Sequence, residues 1–371
     1  MSPISITRRS ALAGGLATGA AFAMPADEAS AQAFVSSPGG NVKVMPAITR
    51  YIADSPAAPV PAPIRELAQL HILDTLASTV ACRELEASRL GRQYAAAQGG
   101  GRIPILGSTD RASLIDAVFA SAMTAHAAEI NDFIPSAFVQ PGPAIVSAAL
   151  LLGQQRGSNG RRLVNAVIAG YELAGRIPKT ISTANLSRAG LANHGIGPVF
   201  GTAAAAASLI GLDADKVAHC LSYCAQQASG SWQWMLDVRH IEKAFVFAGM
   251  GARNGLQAAL MVEAGFTGVP DCLDIEGGWL RSSAFAGGEA DRAYLIEHLG
   301  RRFELTESAF KRYPSGGPTQ PAVEALLDLR RQLNPNEVER IVIAMPGRWQ
   351  AFRDANMPAL NLPYLASLII A

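Results

Sequence analysis

The stretch EINDFIPSAFVQPGPAIVSAALLLGQQRG, Glu129 to Gly157, sets two carboxylates, Glu129 and Asp132, ahead of a Gln-Pro-Gly-Pro turn and a helix of almost pure Ala, Val and Leu. If the preceding helix runs that far, the acids stand at i and i+3 on one face. There the dipole of a helix C-terminus opposes them. Such a pair either forms a catalytic lip at the next helix start or is a solvated loop, and the residues alone leave both open. A second grouping, DVRHIEKAFVFAGMGARNG, places Asp237, Arg239, His240, Glu242 and Lys243 before an apolar, Gly-spaced helix. Its cations either neutralise an acidic substrate or begin an ordinary charged helix. In FKRYPSGGPTQ, Lys311, Arg312 and Tyr313 precede a turn whose backbone N–H groups could cradle a carboxylate; a plain basic turn reads equally well. His194, in LANHGIGPVFG, sits at the mouth of a small-residue helix, where an imidazole titrates near neutrality. His71 reads as a packed or capping histidine rather than a ligand.

Other chemistries find little support. There is no G-x-S-x-G, no P-loop and no paired-glycine nucleotide fingerprint, and GMGARNG lacks the strand that must precede a dinucleotide loop. The formal charge is +1 with no basic block, so nucleic acid is not an expected partner. Cys82, Cys220, Cys224 and Cys272 form no C-x-x-C pair and have no His partners at ligand spacing. They read as small core residues, and no metal is expected.

The elements that must position these groups are mostly helical. The chain has 371 residues, 49% hydrophobic and 16% charged, with 35 glycines, enough to bury a large core. From Ile64, IRELAQLHILDTLASTVAC places Leu67, Leu70, Leu73, Ala77 and Val80 along one stripe. DRASLIDAVFASAMTAHAAEI begins at an Asp110 cap, and Asp213 caps LDADKVAHCLSYCAQQASG. The expected architecture is mainly α: a large all-helical domain over 63–268 and a smaller α+β lid over 269–350, with a strand through Val338, Ile341 and Ile343. Residues 34–62 read as an irregular arm. Residues 351–371 read as the start of a returning helical segment, MPALNLPYLASLIIA, apolar enough to be buried, belonging to a domain that is cut short.

Residues 1–33 read as a Tat-type export signal. Arg8 and Arg9 precede an apolar stretch from Ala11 to Ala23, and Ala31-Gln32-Ala33 fits a cleavage site. The stretch is too short to span a bilayer core of about 30 Å. The expected location is the periplasm, or the cytoplasm if the signal is unused, with no membrane contact in the mature form.

Seven ordered segments carry a resemblance. They are HILDTLASTVAC, AEINDF with QPGPAIVSAALLLGQQRG, LVNAVIAGYELAGRI, NHGIGPVFGTAAAAASLIGLDADKV, EKAFVFAGMGARNGLQAALMVEAGFTG, KRYPSGGPTQPAVEALLDLR and NLPYLASLIIA. In these the chain resembles the MmgE/PrpD family of 2-methylcitrate dehydratases, cis-aconitate decarboxylases and iminodisuccinate epimerases. The resemblance implies a homodimer, no cofactor, and a lyase that removes a proton next to a carboxylate of a small di- or tricarboxylic acid. Epimerase, decarboxylase and a member that only binds such acids are the alternatives. It also implies site residues. Asp132, His194 and Lys243 would be catalytic, and Glu129, Gln140, Lys311, Tyr313, Gln320 and Tyr364 would bind substrate. Three positions depart from the family pattern. Gln140 and Gln320 stand where histidines are usual, and Phe133 where a small hydroxyl residue is common. An amide cannot exchange a proton near neutrality.

Overall fold

Where the sequence is richest in Ala and Gly, between Gly142 and Glu263, helix backbones approach closely enough that several glycines have no room for a Cβ. The computed structural model describes residues 3–7, 42–275, 278–281, 291–347 and 349–371, with only the backbone path at 3–7 and 281. The export signal, apart from Pro3–Thr7, and the arm up to residue 41 lie outside the described residues. The chain divides into two compact units, Pro38–Lys311 and a second made of Met1–Ser37 with Arg312–Ala371. They part at Lys311 rather than at the 268/269 boundary expected from texture. Among the described residues no helix is long and apolar enough to cross a membrane.

The first unit is helical. Its helices are α1 (Met45–Asp54), α2 (Ala62–Cys82), α3 (Glu86–Ala97), α4 (Leu114–Ala125), α5 (Gly142–Gln155), α6 (Gly160–Ile181), α7 (Thr183–Arg188) and α8 (Asn193–Ile210). They are followed by α9 (Ala214–Gln227), α10 (Ile241–Ala244), α11 (Met250–Glu263) and α12 (Arg292–Ile296). α1 falls inside the stretch expected to be an irregular arm. It forms because Met45, Ile48, Thr49 and Ile52 recur at helical spacing and bury. Asp213 caps α9 as expected, accepting the Lys216 N–H at 2.9 Å. α4 is capped by Ser113, not Asp110, because Arg111–Ala112 pairs antiparallel with Ile103–Pro104. All four cysteines are buried and free.

α8 is the axis of this unit, with every residue from Asn193 to Leu209 buried. α6 and α11 pack on it through glycines. A Cβ on Gly201 would lie 2.6 Å from the Gly170 carbonyl of α6, and one on Gly255 of α11 2.4 Å from the Val199 carbonyl. Dispersion across these short gaps replaces the large side chains the sequence lacks.

α2 is turned the other way from its sequence pattern. Ala68, His71, Thr75, Ser78, Thr79 and Cys82 face inward, while Leu70, Leu73 and Val80 are 52%, 60% and 60% exposed. The inward hydroxyls are satisfied within the helix, Thr75 and Thr79 donating to the carbonyls four residues back.

In the second unit, α13 (Gln320–Arg330) packs against α15 (Leu362–Ile370), with α14 (Trp349–Arg353) between them in sequence. The expected strand is present as Arg340–Ala344 and pairs antiparallel with Pro3–Thr7, Ile4 opposite Ile343. α15 was expected to be buried. It buries Leu362 and Ala366 but leaves Tyr364 and Leu368 49% and 62% exposed.

Crowding at the α6–α8 crossing yields a test. Gly201→Ala should destabilise by about 1–3 kcal/mol through overpacking. Gly160→Ala, where a Cβ meets nothing within 4 Å, should be neutral or slightly stabilising. Urea denaturation of the two variants checks the contrast.

Candidate active site

α4 ends at Ala125, so Glu129 and Asp132 are not on a helix. They lie on the segment that leads to α5, and both are buried, at 2% and 0% exposure. The Asn131 side chain holds this segment by donating to the Ala125 carbonyl at 2.8 Å. The solvated-loop reading is therefore ruled out by burial.

Glu129 is the hub. Lys311 Nζ donates to its Oε2 at 2.7 Å, His240 Nε2 lies 3.0 Å from its Oε1, and Lys243 Nζ is ion-paired to the same Oε1. Burial alone would raise the Glu129 carboxyl. The Lys243 and Lys311 ammonium groups, with His240, outweigh it and hold the carboxyl well below the usual range. Two ammoniums share this carboxylate, and the Lys243 pKa is lowered by burial despite its Glu129 partner.

Backbone features place these cations. Asp237 accepts the Lys243 N–H at 2.9 Å, fixing the start of α10, and a π-turn over Phe245–Gly249 joins α10 to α11. π-turns inside helices recur at functional sites. His240 takes φ 61° and Phe138 φ 54°, unusual for residues with side chains. Lys311 is delivered by a strap in which Phe133 and Ala309 exchange backbone hydrogen bonds of 3.0 and 2.8 Å.

An aromatic wall adjoins the hub. The His194 ring stacks on Phe247 at 3.6 Å with 15° between planes, and Phe138 and Trp234 lie 5.0 and 5.5 Å away. Lys243 Nζ sits 4.7 Å above Trp234 and 4.9 Å above Phe247. Burial, then the Lys243 charge, pushes the His194 pKa well below the usual imidazole value, so the ring is neutral. His126, lowered by burial and then by His240, is neutral too. His126, Glu129 and His240 are spaced as a metal triad would be. However, both Glu129 oxygens are held by ammonium groups, and a dication there would face two positive charges.

Asp132 forms a second cluster. Its Oδ2 accepts from Tyr171 at 2.7 Å and from Ser308 at 3.3 Å, and its Oδ1 accepts the Gly142 N–H at 3.3 Å. His71 Nδ1 lies 2.8 Å from Oδ2. Asp74 Oδ2 accepts the Asp132 N–H at 3.3 Å. The glycine of the Gln-Pro-Gly-Pro turn is required here, since a Cβ on Gly142 would fall 2.5 Å from Asp132 Oδ1. Gln140 is buried, and its Oε1 has no partner among the described residues.

The expected residues thus divide. Glu129, Lys243 and Lys311 meet directly, and His194 stands beside them. Asp132 lies in the neighbouring cluster, saturated with donors and suited to anchor rather than to abstract a proton. Tyr313, Gln320 and Tyr364 belong to the second unit. There Gln320 accepts the Arg312 and Tyr313 N–H groups, both at 3.1 Å, and donates to the Tyr313 and Ser315 carbonyls. It works as a clasp on the turn, with its amide fully used. Asp74, His126 and Tyr171 were not singled out, and His71, expected as a packed or capping histidine, is fully buried beside Asp132. The polar spacing His71, Thr75, Ser78, Thr79 along α2 was the readable sign of that inward face.

A helical body encloses buried lysines, a shared carboxylate and neutral imidazoles. The chain belongs to the MmgE/PrpD family, whose N-terminal domain model matches residues 46–290. It is similar to the cis-aconitate decarboxylase-like protein oryM of Aspergillus oryzae (strain ATCC 42149 / RIB 40), 24% identical over 316 residues, 80% of this chain and 63% of that protein. It is also similar to the cis-aconitate decarboxylase of Homo sapiens, 24% identical over 262 residues, 68% of this chain and 51% of that protein. The chain therefore spans about half to under two thirds of these relatives' lengths.

Removing the hub carboxylate should expose its electrostatic role. Glu129→Gln leaves two buried ammoniums uncompensated and should cost about 3–5 kcal/mol at neutral pH. Because the folded Glu129 pKa lies below its unbound value of 4.5, its contribution is present above that pH and is lost as pH falls through the folded value. Denaturant titrations against pH should show this acid limb in the wild type and not in the variant.

Proposed function

We propose that the protein is a cofactor-independent lyase of MmgE/PrpD type, acting on a small di- or tricarboxylic acid by proton abstraction next to a carboxylate. The observation that carries this is the Glu129 hub: two buried ammoniums share one carboxylate, next to a His194 ring whose nitrogens have no partner among the described residues. A polyanion suits two buried ammonium donors set close together. Its carboxylates take hydrogen bonds from Lys243 and Lys311, and neutral His194 donates to the oxygen that gains charge as the proton leaves. Donors fixed in advance at that oxygen are worth far more in a dry site than in water.

Dehydration is the first reading. Decarboxylation is the second, supported by the relatives' names, which speak of cis-aconitate decarboxylases. In the second reading the bond broken is C–C and the product is CO₂. Gln140 and Gln320 support a third outcome, binding without turnover, because neither amide can carry a proton. Export to the periplasm and homodimer formation remain part of the proposal, supported by the Arg8-Arg9 signal pattern and by the family.

Purified protein should be given 2-methylcitrate and cis-aconitate separately, with unsaturated-acid absorbance and CO₂ followed. Lys311→Ala and Lys243→Ala should each lower kcat/KM by about 10²–10³, the usual loss for a removed charge-stabilising donor. If the wild type turns over neither acid but is thermally stabilised by one, the protein is a binder; if it does neither, the proposal fails.

A further inference from the structure

The proton-transfer group is the missing part of this site. Asp132 is saturated, Glu129 is locked between cations, and Gln140 cannot exchange protons. His71 has the geometry the others lack. Its Nδ1 lies 2.8 Å from Asp132 Oδ2, and Asp132 is itself fixed by Tyr171, Ser308 and the Gly142 N–H. Its Nε2 is buried with no partner among the described residues, and Nδ1, though within ion-pairing distance of Asp132, makes no aligned hydrogen bond. The ring lies flat against Phe310, at 4.3 Å and 22°, and Phe310 is 43% exposed. α2 turns His71 inward while Leu70 and Leu73 are 52% and 60% exposed.

We propose that His71 is the proton-transfer residue of this site, with Asp132 as the positioning carboxylate that orients its ring. The proposal rests on the lyase reading above. In the dehydration direction Nε2 takes the proton from the carbon next to a substrate carboxylate. The C–H electron pair becomes the new C=C bond and the C–O bond breaks. The departing hydroxide takes a proton from one of the lysine ammoniums and leaves as water. A buried carboxylate on one imidazole nitrogen, with the other nitrogen open, is the general arrangement by which an Asp steadies a His through its charged state.

The ionisable groups facing His71 are Asp132 from the loop before α5, Tyr171 from α6 at 5.4 Å between rings, and Asp74 on its own helix. Lys311 from the strap acts on Asp74. Burial, and then the Asp132 charge, push the Asp74 carboxyl up to about 6.

His71→Gln tests this. With the substrate found above, kcat should fall by about 10²–10⁴, the usual loss for a general base, with KM little changed and one ascending limb gone from the pH profile. Asp132→Asn should lose about 10–100-fold, as outer-shell partners of a working histidine do. Should His71→Gln fail to fold, the unaltered protein answers: diethyl pyrocarbonate should modify His71, mapped by mass spectrometry, in step with inactivation, and bound substrate should protect it. Wild-type kcat and an unchanged pH profile in His71→Gln would overturn the proposal while leaving the lyase reading intact. So would inactivation by the reagent without modification of His71. A wild type that turns over neither acid removes both.

Discussion

One carboxylate held between two buried ammonium groups sets the terms for the rest of this site. An ammonium out of water is expensive, and two of them near each other more so. Glu129 offsets part of that cost, and the aromatic faces of Trp234 and Phe247 contribute where Lys243 approaches them. Asp237 acts on Lys243 and Asp74 on Lys311, so further carboxylates share in the balance. Burial, and then the charges of His240 and Lys243, keep His126 and His194 neutral beside the hub.

Helix packing serves this electrostatic arrangement. α8 begins at Asn193 and His194, and only a helix of small residues lets α6 and α11 come close enough to hold its start in place. Asn193 ties that start to the segment before α5 by donating to the Ala137 carbonyl at 2.9 Å. The same economy appears at Gly142, where the absence of a side chain lets a backbone N–H reach Asp132. Size and charge are thus set together: small residues bring the backbones in, and the polar groups arrive with them.

Much of the helical frame was legible, because capping residues and apolar periodicity act locally. Asp213 and the run from Val217 to Cys224 specify α9 without reference to anything distant. The meeting of Glu129, Lys243 and Lys311 could be anticipated only through resemblance, since 114 and 182 residues separate the first from the other two (243 − 129, 311 − 129). α2 misled for a physical reason. Its leucines and valine mark one face by hydrophobicity, but the pairing of His71 with Asp132 fixed the other face inward. Hydrophobic periodicity reports the average cost of burial, and a site is where that average fails. The clasp made by Gln320 was missed because an amide that looks like a ligand in sequence is used up by its own turn.

The inverted α2 has a meaning for how the chain reaches its native state. Taken alone, the pattern of α2 would turn Leu70 and Leu73 toward the interior, whereas in the folded protein the face of Ala68, His71 and Thr75 is the buried one. The helix is a point of conflict between local and global instruction, a small ruggedness in an otherwise smooth descent. Its native rotation sets the Asp132 contact against the exposure of Leu70 and Leu73.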